Sequence, residues 1–238
     1  MNQLYNFRAY IYDLIYSKKD FALEVSMINE LIQKYKKSKG KELLDVGCGS
    51  GNHLIHLQKD YTCTGIDINP GILAIARKKL PGIDFIEVDM ASFSFQKKFD
   101  IIICLFGTLG YALTLKNMQR TLLNFSHHLN KDGIVIIDPW FSPEKYEVGS
   151  PHLTTFSSPD IKIARSDVFE RKKNQSIIDM HFLVAERNKK VEHFIDRHVL
   201  GLFTPKEILN AITNAQFSKI HLEEKIPGMR DIYIGIKK

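Results

Sequence analysis

Residues 43–52 read LLDVGCGSGN, and this stretch decides the fold. An apolar run leads directly into Gly47, Gly49 and Gly51, which predicts a buried strand, a tight turn and then a helix. Glycine lets the backbone turn sharply and approach a ligand closely. The stretch therefore indicates a nucleotide-type cofactor site at the carboxyl end of a strand.

The glycine spacing and two carboxylates distinguish between nucleotide cofactors. The next predicted strand, residues 63–68, carries Asp67, where a carboxylate accepts hydrogen bonds from the hydroxyls of an adenosine ribose. The nicotinamide fingerprint is G-x-G-x-x-G, whereas this loop reads G-x-G-x-G and follows Asp45. An acidic neighbour repels a pyrophosphate but suits the ammonium and sulfonium groups of S-adenosylmethionine. The loop therefore favours S-adenosylmethionine as the cofactor.

Short apolar segments alternate with amphipathic ones on both sides of the loop, which is typical of a parallel sheet covered on both faces. Further strands are predicted near residues 83–88, 99–105 and 134–138, with helices near 21–35, 70–76 and 115–129. After Pro139 the pattern changes to extended segments in a row, at 161–169, 176–186 and 191–200, which predicts an antiparallel insert. A capping box at Thr204–Glu207 then starts a helix, and two last strands follow near 220–224 and 231–236.

These elements divide the chain into four predicted regions. They are an N-terminal helical cap (1–40), a cofactor-binding core (41–150), the antiparallel insert as a substrate platform (151–203), and a C-terminal helix with the last strands of the core sheet (204–238).

Composition restricts the class of protein. The chain has 238 residues and a net charge of +6, with its lysines in small separate clusters. We interpret most clusters as solvated helix ends, and the remainder as compatible with an anionic substrate. Three dispersed cysteines, no signal-peptide pattern and no apolar stretch near the roughly 18 residues of a membrane span lead us to expect a cytoplasmic protein. The histidines show no metal-ligand spacing, so no metal is expected.

Residues at the ends of later strands suggest substrate contacts. Asp89 ends the third strand, where it accepts from an adenine amino group or caps a turn, and Met90 packs on the ring. Trp140, the only tryptophan, follows the fifth strand and either floors a substrate pocket or packs in the core. The fourth strand lacks the D/N-P-P-Y-like motif of enzymes that methylate bases in nucleic acid.

Several motifs, in this order, resemble the nucleotide-linked amino-sugar N-methyltransferases, which include the dTDP-amino-deoxysugar N,N-dimethyltransferases. Besides the glycine loop they are YDLIY at 12–16, LFGTLGY at 105–111, DPWFSPE at 138–144, MHFLV at 180–184 and LFT at 202–204. The resemblance covers nearly the whole chain. It implies an α/β, Rossmann-like class I methyltransferase fold with a seven-stranded, mostly parallel sheet, an antiparallel β insert over the active site, and a homodimer.

Particular residues are assigned roles from their positions, from the chemistry of the reaction and from the resemblance. The cofactor-binding set is Tyr12, Asp45, Gly47, Cys48, Gly49, Asp67, Ile68, Asp89, Met90, Leu105 and Phe106. Tyr111, where family members often have histidine, and Tyr5 are expected to orient the amine or the cofactor. Trp140, Phe141, Arg165 and Arg197 are expected to contact the acceptor.

The expected reaction is an in-line methyl transfer to a small molecule, which depends mainly on alignment and on exclusion of water. No nucleic acid or membrane partner is expected. Two alternatives remain open at this point. One is methylation of another small acceptor, such as an amino acid, a polyamine or an oxygen nucleophile. The other is a non-catalytic protein that binds S-adenosylmethionine or RNA.

Overall fold

The computed structural model of the chain describes residues 8–224 and 230–238. The helices of these residues are α1 (Ala9–Ile15), α2 (Phe21–Tyr35), α3 (Leu54–Leu57), α4 (Pro70–Lys79), α5 (Leu115–His128) and α6 (Pro205–Asn214). The strands are β1 (Glu42–Val46), β2 (Thr62–Asp67), β3 (Asp84–Glu87), β4 (Phe99–Cys104), β5 (Leu129–Ile137), β6 (Pro151–Ser157), β7 (Ile161–Lys172), β8 (Gln175–Glu186), β9 (Glu192–Gly201), β10 (Phe217–Glu223) and β11 (Ile232–Lys237). A 3₁₀ turn, Thr108–Ala112, follows β4. None of these helices has the length and apolar character needed to cross a bilayer.

Seven of the described strands form one sheet in the order β10-β11-β5-β4-β1-β2-β3. The five strands from β5 to β3 are parallel, and β11 runs antiparallel to both β5 and β10. Helices cover both faces, so the central strands are mostly apolar, and every residue of β4 is buried. The predicted α/β fold with a seven-stranded, mostly parallel sheet is confirmed.

The strand order places a crevice between β1 and β4. The chain passes outward through β2 and β3, then returns to β4 on the other side of β1. In open α/β sheets, ligands bind beyond the carboxyl ends of the strands at such a reversal. The glycine loop follows β1 and the segment 105–111 follows β4, so both border the same crevice.

The second sheet is antiparallel, in the order β6-β7-β8-β9, and it confirms the predicted insert. We call this four-stranded sheet the platform. Its edge strand β6 precedes the three segments that were predicted. Residues of β6 alternate only between exposed and half-buried, so the strand has no apolar run to reveal it. The inner face of this sheet packs against α1, through a cluster of Ile11, Ile15, Ile163, Phe182, Val184 and Phe194.

Local signals located the starts of two helices correctly. The Asp20 side chain accepts a hydrogen bond from the Leu23 N–H at 2.9 Å, and Thr204 and Glu207 form the predicted capping box. In contrast, β5 begins five residues before its predicted start at residue 134. The polar run Asn-Lys-Asp at 130–132 interrupts the apolar pattern there, and hydropathy alone does not show that it belongs to a strand.

Candidate active site

The glycine loop (residues 47–51) closes the carboxyl end of β1, and all three of its glycines have positive φ angles. The N–H groups of Gly47 and Cys48 donate to the Ile66 carbonyl at 2.8 and 3.0 Å, so the loop folds across the end of β2. A Cβ atom on Gly47 would lie 2.4 Å from Cγ2 of Thr108. Position 47 therefore requires glycine both for its backbone angles and for the close approach of the turn after β4.

Asp67 ends β2 beside the loop and lines a cavity over the crevice. Its Oδ2 accepts from the Gly49 N–H at 3.0 Å, and its Oδ1 accepts from the N–H and the side-chain amide of Asn69 at 2.9 and 3.1 Å. Burial raises the pKa of Asp67, and these donors oppose the rise. The loop thus holds the carboxylate in place, with the exposed side chain of Ile68 next to it on the cavity wall.

Asp45 on β1 is the buried carboxylate of the cavity wall. Its Oδ2 accepts no hydrogen bond from the described residues. Burial raises the pKa of Asp45 to about 7, and the neighbouring Asp67 adds to the rise. A buried acceptor without a donor is costly, and such atoms often await a ligand. The thiol of Cys48, whose pKa burial also raises, completes this wall.

Asp89 and Met90 follow β3 and line the same cavity. The Oδ1 atom of Asp89 accepts from the Ala91 N–H at 2.7 Å, so the side chain also caps the turn. Both roles considered for Asp89 from the sequence are therefore compatible with its position. Met90 packs partly against the main core and partly faces the cavity.

The segment after β4 forms the wall opposite the glycine loop. Leu105 is buried, and Phe106 takes a positive φ of 55° while its N–H donates to Asp138 Oδ2 at 2.9 Å. Tyr111 on the 3₁₀ turn also lines the cavity, and its hydroxyl oxygen lies 2.7 Å from Nδ1 of His198.

Helix α1 adds two tyrosines to the cavity. The rings of Tyr12 and Tyr16 lie 4.7 Å apart, and Tyr16 packs edge-on against Phe106 at 5.5 Å. These rings, Phe106 and Tyr111 all line the cavity.

Asp13 fastens α1 to the glycine loop. Its Oδ1 accepts from the Ser50 hydroxyl at 2.5 Å and from the Asn52 amide at 3.1 Å, and its Oδ2 lies 2.8 Å from the Lys79 ammonium. We call these four residues the α1 latch. Because of the latch, α1 contacts the loop directly while its apolar face packs on the platform.

Aromatic rings and a guanidinium group form the platform end of the cavity. The Trp140 indole N–H donates to the Ser176 hydroxyl at 3.0 Å, and its ring packs edge-on against Phe141 at 4.8 Å. The Arg230 guanidinium lies 5.3 Å from the Trp140 ring centre and 2.9 Å from Asp138 Oδ2. Trp140 thus lies between the two sheets and also faces the cavity.

A second arginine reaches the cavity from β7. Arg165 donates to the Tyr16 hydroxyl and to the Thr154 hydroxyl, both at 3.0 Å. Its Nε lies 3.3 Å from Oδ2 of the buried Asp167, whose Oδ1 is 3.5 Å from Nδ1 of His152. This part of the cavity wall therefore combines a guanidinium group and an imidazole ring with one carboxylate.

Arg197 was predicted to contact the acceptor, and the structure corrects this placement. Its side chain is 66% exposed and pairs with Asp179 on the outer face of the platform. Strand residues alternate between faces, and on β9 the inward side belongs to Asp196 and His198. The predicted Tyr5 lies outside the described residues.

Four further residues complete the site. Tyr16 lies within the YDLIY motif, and Asp167 and His198 occupy inward positions that a period-two pattern could have identified. Arg230 had no local signal, because a single arginine near the chain end belongs to no motif.

The cavity has a volume of about 770 Å³. Apart from Arg197, every predicted site residue in the described ranges lines it. Its glycine-loop end carries three carboxylates, and its platform end carries aromatic rings and the two arginines. Within the described residues, no three His, Cys, Asp or Glu side chains are arranged so that they could hold a metal ion. The unpaired Asp45 oxygen and the glycine cradle fit the ammonium-bearing end of S-adenosylmethionine.

Comparison with known proteins shows similarity to methyltransferases. Residues 43–133 match the methyltransferase domain family. The chain is 32% identical over 231 residues to a dTDP-3-amino-3,4,6-trideoxy-alpha-D-glucopyranose N,N-dimethyltransferase from Streptomyces venezuelae, covering 96% of this chain and 97% of that protein. The crystal structure of Streptomyces venezuelae DesVI superposes with a TM-score of 0.90 and 31% identity, covering 97% and 98% of the two chains. S-adenosylmethionine-bound CalS10, an amino pentose methyltransferase from Micromonospora echinaspora, gives a TM-score of 0.86 and 25% identity, covering 96% and 97%.

The fold and the site together define a class I S-adenosylmethionine-dependent methyltransferase. Within that class, the chain belongs to the family of the dTDP-amino-sugar N,N-dimethyltransferases. The family resemblance seen in the sequence is therefore confirmed.

Proposed function

We propose that this enzyme transfers methyl groups from S-adenosylmethionine to the amine of a nucleotide-linked amino sugar, up to the N,N-dimethyl product. The observation that carries the proposal is the polarity of the cavity, which is acidic at the glycine loop and aromatic and cationic at the platform. The names of the relatives support the same acceptor class. In this proposal residues 1–40 cap the active site and residues 151–203 form the substrate platform.

At the acidic end, Asp45 accepts from the ammonium group of the cofactor, and Asp67 holds the ribose hydroxyls. Asp45 is buried and Asp67 half-buried on the cavity wall, where an interaction with a cation is stronger than in water. Asp89, Met90 and Ile68 border the adenine. When bound, S-adenosylmethionine supplies the electrophilic methyl and a good leaving group.

Between the acidic end and the platform end of the cavity, the aromatic rings of Tyr12, Tyr16 and Phe106 stabilise a positive sulfonium by cation–π attraction. The reaction is an in-line displacement, so the protein contributes mainly by aligning nitrogen, methyl and sulfur and by excluding water. Tyr111 faces this region and orients the amine, and Tyr5 has the same proposed role.

At the platform end, Arg165 and Arg230, which also pair with Asp167 and Asp138, offer guanidinium N–H donors to the phosphates of a nucleotide sugar. Trp140 and Phe141 offer flat apolar surfaces on which a nucleobase or a sugar ring can pack. The proposal involves no nucleic-acid partner, and it includes a homodimer in a reducing cytoplasm, where three free cysteine thiols persist.

The test is a substrate panel. The purified enzyme is incubated with S-adenosylmethionine and each of several nucleotide-linked amino sugars, the same sugars without nucleotide, amino acids and polyamines. S-adenosylhomocysteine and product mass are followed. Methylation of the nucleotide-linked amines, weak turnover of the nucleotide-free sugars, and loss of turnover in Asp67→Ala support the proposal. Preferential turnover of amino acids or polyamines would refute the proposed acceptor, and no turnover at all would favour a binding protein.

A further inference from the structure

Tyr111, His198 and Asp196 form a line that leads from the cavity into the interior. The Tyr111 hydroxyl oxygen lies 2.7 Å from His198 Nδ1, and His198 Nε2 lies 2.8 Å from Asp196 Oδ2. Relative exposure falls along this line from 38% for Tyr111 to 3% for His198 and 0% for Asp196. One end of the line therefore meets a ligand, and the other end is shielded from water.

The line joins two parts of the chain that are distant in sequence. Tyr111 belongs to the 3₁₀ turn after β4, whereas His198 and Asp196 are two residues apart on β9 and face inward together. A buried carboxylate beside Nε2 favours a proton on that nitrogen, which leaves Nδ1 as an acceptor for the Tyr111 hydroxyl. In this arrangement the Tyr111 oxygen can accept from an N–H group of a ligand in the cavity.

Successive methylation needs such an acceptor, and this step rests on the proposed function. In the first transfer the bond from sulfur to the methyl breaks, the bond from nitrogen to the methyl forms, and the nitrogen becomes a secondary ammonium. Its lone pair is then occupied by a proton, so a second displacement cannot occur until that proton leaves. S-adenosylhomocysteine must also be exchanged for fresh S-adenosylmethionine before the second transfer, and a proton acceptor on the cavity wall can take the proton while the amine stays bound.

We propose that Tyr111, His198 and Asp196 relay this proton away from the once-methylated amine. The ammonium N–H proton passes to the Tyr111 oxygen while the Tyr111 hydroxyl proton passes to His198 Nδ1. The products are a neutral secondary amine, a neutral tyrosine and an imidazolium next to the Asp196 carboxylate. The proton returns to solvent when the cavity opens. In this relay Tyr111 is a catalytic residue, and His198 and Asp196 are positioning residues that act through it.

The test measures how product is divided between one and two methyl groups. Wild-type enzyme, His198→Gln, Asp196→Asn and Tyr111→Phe are compared with His193→Gln, a matched control on the outer face of β9. Each reacts with a nucleotide-linked amino sugar and, separately, with its N-monomethyl derivative, under single-turnover conditions. Cofactor affinity and thermal unfolding are recorded for every variant.

The relay predicts that His198→Gln and Asp196→Asn transfer the first methyl within about threefold of the wild-type rate. Tyr111→Phe also loses the hydroxyl that orients the amine, so it should slow the first transfer as well, but less than the second. The second transfer should slow by about 100-fold, the low end of what a positioned proton acceptor contributes. Monomethyl product then accumulates, while His193→Gln behaves as wild type. A purely structural role would slow both transfers equally. Because three positions are tested, misfolding of one variant leaves the comparison intact.

An unchanged ratio of monomethyl to dimethyl product in the relay variants would overturn the relay while the proposed function stands. A wild-type enzyme that transfers only one methyl group would overturn the relay and the proposed dimethyl product, but not the proposed acceptor class. Wild-type enzyme that methylates no amino sugar would instead refute the proposed function, and the relay with it.

Discussion

We expect replacement of Asp45 by asparagine to have opposite effects on protein stability and on cofactor binding. Asp45 is buried, one of its oxygens accepts no hydrogen bond within the described residues, and burial raises its pKa to about 7. The ligand-free protein therefore holds a carboxylate in an unfavourable place. We infer that the cofactor provides the missing positive charge.

The size of the stability effect follows from this pKa. Between the ordinary value of 3.8 and about 7, the folded protein binds more protons than the unfolded chain, so the free energy of unfolding falls as pH rises through this window. At pH 8 the ionised carboxylate costs about 4 kcal/mol. An unpaired buried amide at the same position costs about 1–3 kcal/mol, so Asp45→Asn should raise the free energy of unfolding by about 1–3 kcal/mol at pH 8.

The cofactor should respond in the opposite sense. If the ionised carboxylate is the binding form, about one tenth of the protein is competent at pH 6 and about nine tenths at pH 8, so affinity should rise about tenfold across this range. Binding at pH 6 should also release close to one proton. In Asp45→Asn, affinity should be weaker and this pH dependence should disappear.

Two measurements check these expectations: urea unfolding of ligand-free protein from pH 5 to pH 8, and calorimetric titration with S-adenosylmethionine in buffers of different ionisation enthalpy. Asp160→Asn is a surface control, because the Asp160 side chain is 75% exposed. A wild-type affinity that does not change between pH 6 and pH 8, together with an Asp45→Asn variant no more stable than wild type at pH 8, would refute this reasoning.

Three further predictions concern the scaffold of the site. Gly47→Ala should lower the free energy of unfolding by about 2–3 kcal/mol, because of its positive φ and the contact with Thr108, whereas Gly82→Ala, which meets no atom within 4 Å, should stay within about 0.5 kcal/mol. Asp13→Ala should release the α1 latch, weaken cofactor binding about tenfold and speed hydrogen exchange in α1. Phe182→Ala, in the cluster under the platform, should cost about 3–5 kcal/mol in urea unfolding.

Each of these has a clear contradicting result. Equal stabilities for the Gly47 and Gly82 variants would remove the steric account of the loop. Unchanged exchange in α1 after Asp13→Ala would mean that the apolar contact with the platform alone holds the helix. A loss below about 1 kcal/mol in Phe182→Ala would mean that the cluster repacks around the missing ring.

The core of the fold and its glycine-loop site could be predicted from the sequence because their causes are local. Gly47 requires a special backbone angle, Asp67 ends an apolar strand, and Thr204 caps a helix with Glu207. Each of these signals lies within a few residues of the feature that it specifies. Parallel strand ends then meet at one edge of the sheet without further information.

The platform side of the site was harder because it depends on faces and on distant contacts. On β9 the charge of Arg197 suggests a contact with the acceptor, although the residues that face inward are Asp196 and His198, two positions apart. The sequence shows that side chains alternate between the two faces of β9, but it does not show which face meets the cavity. Arg230 reaches Asp138 across 92 residues, and no local pattern encodes such a contact.

The most direct test of the central claim follows a labelled methyl group. Enzyme, S-adenosylmethionine with a ¹³C-methyl and a dTDP-linked amino sugar are combined, and the product is examined by mass spectrometry and by NMR. We predict a product that carries two labelled methyl groups on the sugar nitrogen, formed with two equivalents of S-adenosylhomocysteine. Label on oxygen or carbon, or an unlabelled sugar with intact cofactor, would contradict the account.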